Sequence, residues 1–151
     1  MRSVRRWLGA AVIAIGVSGV PAQAMEIAAY DQLSIHDKAR YVVLLLERTK
    51  EFLTETGKSA EAQKVNEAFS VTEWPSMPRG MRQFGDDVQT ARNLARKTGK
   101  ALHVEHAFLL TFAKLKIEGV GAEIMRFGDG FKPSSDGSKW PGIHPLRAAA
   151  R

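Results

Sequence analysis

The residues with the clearest chemical potential are two histidines and a glutamate in the sequence HVEH at 103–106. Histidines three positions apart lie on neighbouring parts of one helical turn, so both imidazoles can reach a single ion. Zinc and copper both accept imidazole nitrogen as a ligand, and zinc also accepts carboxylate oxygen. The segment therefore predicts a zinc or copper site made of His103, Glu105 and His106, with His36 recruited from an earlier helix.

The same three residues also have a purely structural interpretation. Zinc proteases place two histidines four apart around a glutamate, and di-iron bundles repeat Glu-x-x-His on two helices. Neither pattern occurs in this chain. In the structural interpretation, His103 ends a loop at the start of a helix, while Glu105 and His106 are partly exposed or hydrogen-bonded there. The two interpretations differ in whether His36, His103 and His106 converge in the folded protein.

A second candidate site is a stripe of positive charge on the predicted helix 79–98. Its basic side chains lie opposite an apolar face, and Lys100 extends the stripe. Such a stripe can bind an acidic protein or an anionic envelope surface, but it is also typical of a solvated helix face. Without interleaved aromatic residues it does not favour nucleic acid. The residues assigned to partner binding here are Arg82, Arg92, Arg96 and Lys100.

The C-terminal segment WPGIHP at 140–145 places an aromatic and an aliphatic side chain among prolines. An extended segment of this kind can bind in the groove of a partner, with Trp140 as the anchor. The alternative is that residues 132–151, rich in glycine, proline and serine, form a flexible basic tail. Both interpretations stay open from the sequence.

The first 24 residues have the composition of a signal peptide. Three arginines and no acidic residue precede a 13-residue run of apolar and small residues, and PAQA at 21–24 supplies a small-x-small cleavage pattern. The run is shorter than the roughly 20 residues that cross a bilayer. We therefore expect a periplasmic or secreted chain that begins near Met25. The chain has no cysteine, which excludes disulfides, thiol catalysis and a lipoprotein anchor.

The net charge of +6 comes from the two ends of the chain. The predicted signal peptide carries three arginines, and residues 132–151 contain four basic residues against one acidic residue. Residues 25–131 hold 15 basic and 15 acidic side chains. The charge distribution therefore does not favour a nucleic-acid partner.

Apolar periodicity predicts an all-α protein, a small four-helix bundle of two hairpins over residues 25–131. Ser34 and Asp37 form a capping pattern for a helix at 35–56, and Ser59 is a candidate cap for a helix that ends before Ser70. The third helix spans 79–98. The central helix spans 101–117 and is apolar on two sides, so we expect partners to bury both sides.

The first helix suggests a protein contact, because residues 41–46 are apolar all the way round. Either the lead-in at 25–33 and the Trp74 loop cover its outer side, or a second subunit does so in a homodimer. We therefore expect a small exported helical protein that binds a partner protein or an envelope surface and is not an enzyme. The alternatives are a periplasmic metal-binding protein that uses His103 and His106 and, less favoured, an enzyme with dispersed site residues.

Overall fold

A computed structural model describes residues 24–70 and 77–134 of the protein. These residues are mostly helical and contain no strand, only an isolated bridge, so the all-α prediction is confirmed for this part of the chain. The helices are α1 (Ile27–Gln32), α2 (Ile35–Glu55), α3 (Ser59–Phe69), α4 (Arg79–Thr98) and α5 (Val104–Lys114), followed by a 3-10 helix (Ala122–Arg126).

Local sequence signals explain two of the helix ends, and one predicted signal is wrong. The Ser34 hydroxyl accepts a hydrogen bond from the Asp37 N–H at 3.1 Å and caps α2 as predicted. Gly99 ends α4 with a φ of 67°, a left-handed conformation that suits glycine. The predicted cap at Ser59 is wrong, because Ser59 is already the first helical residue of α3. Lys58 precedes it and makes no side-chain cap bond.

The helices pair as the sequence predicts. Helix α2 packs against α3, and α4 packs against α5, while α3 also contacts α4 and so joins the two hairpins. The Phe84 and Phe108 rings stack with their centroids 4.1 Å apart, and Phe69 meets Phe112 edge to face. One apolar core therefore runs between the hairpins. Its fully buried large apolar side chains are Tyr41, Leu45, Leu53, Val65, Val104, Phe108, Phe112 and Ile124.

The central helix is shorter and less enclosed than the sequence predicts. Helix α5 begins after His103, whose backbone is extended, and ends before Leu115. Its inner side is buried through Val104, Phe108 and Phe112, but Leu110 on another side is 38% exposed. The expectation that both apolar sides are buried is therefore wrong at Leu110. Helix α4 and the core cover one side of α5 only.

The lead-in contains a helix that the sequence analysis did not predict. Helix α1 has only six residues and no side-chain cap bond, so local sequence gives it little stability. Backbone contacts with the start of α5 hold it in place. The Val104 N–H donates to the Met25 carbonyl and the Ile27 N–H donates to the Leu102 carbonyl, both at 2.9 Å. The chain just after the predicted cleavage point is thereby fixed.

Elements of the same chain cover part of the apolar stretch of α2. Tyr41 is fully buried, with the Tyr30 ring of α1 at 6.3 Å and the Phe131 ring at 5.0 Å between centroids. The lead-in, which is half of one of the two covers expected from the sequence, therefore packs on Tyr41, together with the chain after the 3-10 helix. Trp74 lies outside the described residues. The homodimer stays a prediction.

The predicted ends of the chain fall largely outside the described residues. Residues 1–23 of the predicted signal peptide and residues 135–151 of the predicted tail, including Trp140, are not among them. Ser134 is described, and its N–H and hydroxyl donate to the buried Asp37 carboxylate. Among the described helices, none is long and apolar enough to cross a membrane.

Candidate functional site

The two histidines at the start of α5 lie close together. Their ring centroids are 5.4 Å apart, and the backbone N–H of His103 donates to the ring Nδ1 of His106 at 3.1 Å. Burial, together with the nearby His103, lowers the pKa of His106. The His103 ring lies over the first helical turn in a capping-box arrangement, although its buried Nδ1 makes no hydrogen bond of good geometry. The pair therefore shapes the start of the helix.

The third predicted histidine does not join this pair. His36 is half-buried in the first turn of α2. Throughout residues 24–70 and 77–134, no three histidine, cysteine, aspartate or glutamate side chains form a group that could hold a metal ion. The geometry gives no support to a zinc or copper site at His103, Glu105 and His106, which stays a prediction.

Glu105 faces the core, so of the two states expected for it, partly exposed or hydrogen-bonded, the structure has the hydrogen-bonded one. The residue is fully buried, and its Oε1 accepts a hydrogen bond from the Tyr41 hydroxyl. The backbone N–H of Met25 lies 3.4 Å from the same oxygen, while Oε2 is buried without a hydrogen-bond partner. Burial raises the pKa of Glu105, and the Tyr41 hydrogen bond opposes that effect. The core thus contains an incompletely paired carboxyl group, which is uncommon.

The surroundings close this buried pair off from solvent. Burial and the adjacent Glu105 carboxyl group raise the pKa of Tyr41. Gly128 passes so close to the Tyr41 hydroxyl that any side chain at position 128 would overlap it. Both Glu105 and Tyr41 are fully buried, so no substrate reaches them in this conformation. We therefore assign the pair to the core and not to a catalytic cleft.

An open groove lies between α1 and the C-terminal end of α4. Its volume is about 450 Å³, within the range of natural ligand sites. The floor is apolar, and the edges carry charges of both signs. Three of the four predicted partner-binding residues on the stripe come together here. The lining includes the apolar residues Ile27, Ala28, Ala95, Ala101 and Leu102, the basic residues Arg92, Arg96 and Lys100, and the acidic residues Glu26 and Asp31.

The three basic residues of the groove have different roles. Arg92 forms a bidentate ion pair with Asp31, with its Nε 2.8 Å from Oδ2 and its Nη2 2.5 Å from Oδ1. The hydrogen bonds of this pair raise the pKa of Arg92 and lower that of Asp31. Arg96 and Lys100 are exposed and form no ion pair among the described residues. Arg92 therefore joins α4 to α1, whereas Arg96 and Lys100 leave positive charge at the groove.

The fourth predicted residue of the stripe lies elsewhere. Arg82 is exposed near the start of α4 and does not line the groove. Arg82 and Arg96 are separated by about 21 Å along the helix axis, from a rise of 1.5 Å per residue. Arg82 is therefore well separated from the groove, which adjoins the C-terminal part of the stripe.

A buried aspartate that is not among the predicted site residues lies on the apolar face of α4. Asp87 is fully buried and accepts hydrogen bonds from Lys114, from Thr111 at 2.8 Å and from Gln83 at 3.1 Å. Both of its oxygens are paired, so it links α4 to α5. The available signal was its position three residues after Phe84, which places it on the apolar face.

Comparison with protein-family models, with curated proteins and with solved structures finds no match to this chain. The functional conclusion therefore depends on the residues of the chain itself. In the part of the chain that the structure describes, the groove between α1 and α4 combines a concave shape, an apolar lining and basic side chains without an ion pair.

Proposed function

We propose that this protein is a small exported, non-enzymatic binding protein of the cell envelope. Its groove between α1 and the end of α4 takes an acidic, partly apolar segment of a partner protein. The observation that supports this proposal is the apolar floor beside Arg96 and Lys100, which are exposed and form no ion pair with another described residue. An apolar floor contributes affinity when it is buried, and charges at the edge orient the partner and accelerate its association.

The distribution of charge in the groove favours a protein segment over a membrane surface. Glu26 lies on the α1 side, while Arg96 and Lys100 lie on the α4 side, so the two sides of the groove carry opposite charges. A uniformly anionic lipid surface would be repelled by Glu26. A peptide can place its carboxylates beside Arg96 and Lys100 and an aliphatic side chain on the floor. The concave shape also suits a chain more than a flat layer of head groups.

The test measures binding of a fluorescent peptide of alternating leucine and glutamate residues by anisotropy. We expect the double variant Arg96→Glu/Lys100→Glu to bind at least about tenfold more weakly, a loss of about 1.4 kcal/mol. The matched control, Arg79→Glu/Arg82→Glu, changes the net charge equally at the other end of α4. It should retain most of the affinity, because both residues are exposed and lie outside the groove.

Two outcomes would contradict the proposal. Equal weakening by both double variants would show that only net charge attracts the peptide. Salt-sensitive binding to phosphatidylglycerol vesicles, lost in the groove variant and stronger than binding to the peptide, would assign the groove to a lipid surface. A peptide in which glutamine replaces every glutamate should bind weakly to all variants.

A further inference from the structure

Glu105 differs from the other fully or nearly fully buried carboxyl groups in the described part of the chain. Asp87 pairs both oxygens with side chains of α4 and α5. Asp37 pairs both oxygens with Ser134 and one also with Arg40. Glu105 keeps Oε2 buried without a hydrogen bond, although it is fully buried itself. The described residues around Glu105 therefore supply donors to Oε1 and none to Oε2, which leaves part of the cost of its burial unopposed.

The main-chain nitrogen of Met25 lies 3.4 Å from Oε1 of this carboxyl group. Two backbone hydrogen bonds hold the chain that follows this nitrogen. The Met25 carbonyl accepts from Val104 and the Ile27 N–H donates to Leu102, both at 2.9 Å, so the chain is held after that point. Loss of residues 1–24 would leave these contacts in place.

The predicted cleavage point lies directly before this nitrogen. Hydrolysis of the Ala24–Met25 peptide bond by a signal peptidase consumes one water molecule. The water oxygen joins the Ala24 carboxylate, which leaves with the signal peptide, and its two hydrogens complete the Met25 ammonium group. One N–H donor is thereby replaced by three donors and a full positive charge. The side chains of PAQA at 21–24 fit such an enzyme.

We propose that removal of the signal peptide creates a partly buried ion pair between the new α-ammonium group of Met25 and the Glu105 carboxylate. Processing then adds a positive charge and two further donors beside Oε1 of a carboxyl group that has few donors. The inference rests on the export that the proposed function includes. It does not depend on what the groove binds.

The groups around the pair determine how it titrates. Tyr41 of α2 donates to Glu105. The electrostatic effect of His103, two residues before Glu105, lowers the pKa of Glu105. Asp129 raises the pKa of Tyr41. A positive charge at Met25 favours the ionised form of Glu105 against the effect of burial. Glu105 in return favours the protonated amine. Because burial of both charges carries a desolvation cost, the coupling between them is the quantity to measure.

The experiment uses residues 25–151 with a free α-amine and the same chain acetylated at Met25. NMR measures the pKa of the amine, which ordinarily lies at about 7.7–8.0. We expect the pKa of the Met25 amine to lie at least about one unit above that range in the unaltered chain and to return towards the range in Glu105→Gln. Acetylation should raise the unfolding equilibrium constant at least about tenfold more in the unaltered chain than in Glu105→Gln. The control Glu26→Gln removes an exposed neighbouring carboxylate and should keep the elevated amine pKa.

An amine that titrates at its ordinary value in the unaltered chain overturns the proposal, and this measurement requires no substitution in the core. Equal effects of acetylation with and without Glu105 overturn it as well. Mass spectrometry of the exported protein should find Met25 at the N-terminus, and a different terminus would overturn the inference. Peptide binding to the groove, measured on the same chains, tests the proposed function separately.

Discussion

Asp87 and Glu105 are both fully buried, but their surroundings differ in the donors they supply. Asp87 receives a lysine, a hydroxyl and an amide, so its charge is paired within the helical hairpin. Glu105 receives the Tyr41 hydroxyl and one distant backbone N–H. A buried charge without such partners is costly, and the cost depends on the number of donors. Asp87 therefore stabilises the hairpin, whereas Glu105 depends on Tyr41 and the lead-in.

Substitution of Tyr41 tests how far the buried Glu105 depends on the Tyr41 hydroxyl. Tyr41→Phe removes the side-chain donor to Glu105 while it keeps the ring that packs on Tyr30 and Phe131. We expect a loss of about 1–3 kcal/mol in the free energy of unfolding, measured with urea, because a buried acceptor loses its partner.

The matched control for that substitution is Tyr30→Phe. Tyr30 is also buried, and burial raises its pKa to about 12, but its hydroxyl forms no side-chain hydrogen bond with another described residue. Removal of the Tyr30 hydroxyl should lower the free energy of unfolding by less than about 0.5 kcal/mol, the usual limit for a substitution that breaks no buried hydrogen bond. Equal losses in both variants would contradict a specific role for the Tyr41 hydroxyl.

The position of Glu105 could be predicted from the sequence only in part. Glu105 precedes Phe108 by three residues and Phe112 by seven, a spacing that places it on the buried face of α5. Its partner Tyr41 is 64 residues away in the chain, and local spacing carries no information on such a contact. The histidines at 103 and 106 drew the metal prediction because their spacing is visible locally.

The long helices could be predicted because their signals are local. Helix α2 ends one residue before the predicted boundary, α3 begins one residue before its predicted start and ends where predicted, and α4 agrees with its prediction. Ser34 caps α2, and Gly99 supplies the left-handed residue after α4. Helix α1 could not be predicted, since it lacks a cap and is held by backbone contacts with residues 102–104. The groove was missed for the same reason, because α1 forms one of its walls.

The packing of α3 on α4 depends on one glycine. A Cβ atom at Gly80 would lie 2.8 Å from the Ala68 carbonyl oxygen and 2.8 Å from the Phe69 ring. Gly80→Ala should therefore cost about 1–3 kcal/mol, since it overpacks a contact that includes rigid backbone. Thermal and urea unfolding measure the loss.

Gly85 in the same helix provides the control with the opposite expected sign. Nothing lies within 4 Å of a Cβ atom built at Gly85, which is exposed. Gly85→Ala should stabilise the protein by about 0.5–1 kcal/mol, because alanine favours the helix more than glycine does. Destabilisation by both substitutions would contradict the proposed close approach of α3 to α4 at Gly80.

At the scale of the whole molecule, the net charge gives less information than its distribution. Residues 25–131 are balanced between acidic and basic side chains, although the complete chain carries +6. Positive charge is in local excess at the groove, because Asp31 neutralises Arg92 while Arg96 and Lys100 form no ion pair among the described residues. The Arg92–Asp31 pair also fixes α1 against α4, so the element that forms the groove wall is positioned by a charge from the stripe.

The proposed function depends most on where an acidic ligand binds. NMR spectra of the protein with amide ¹⁵N labels, recorded as the leucine–glutamate peptide is added, measure this directly. If the peptide binds in the groove, we expect the shifted amides to cluster at 26–31 and 92–102, on both walls of the groove. The shifts should disappear in Arg96→Glu/Lys100→Glu. Shifts that cluster around Arg79 and Arg82, or that spread evenly along α4, would contradict it.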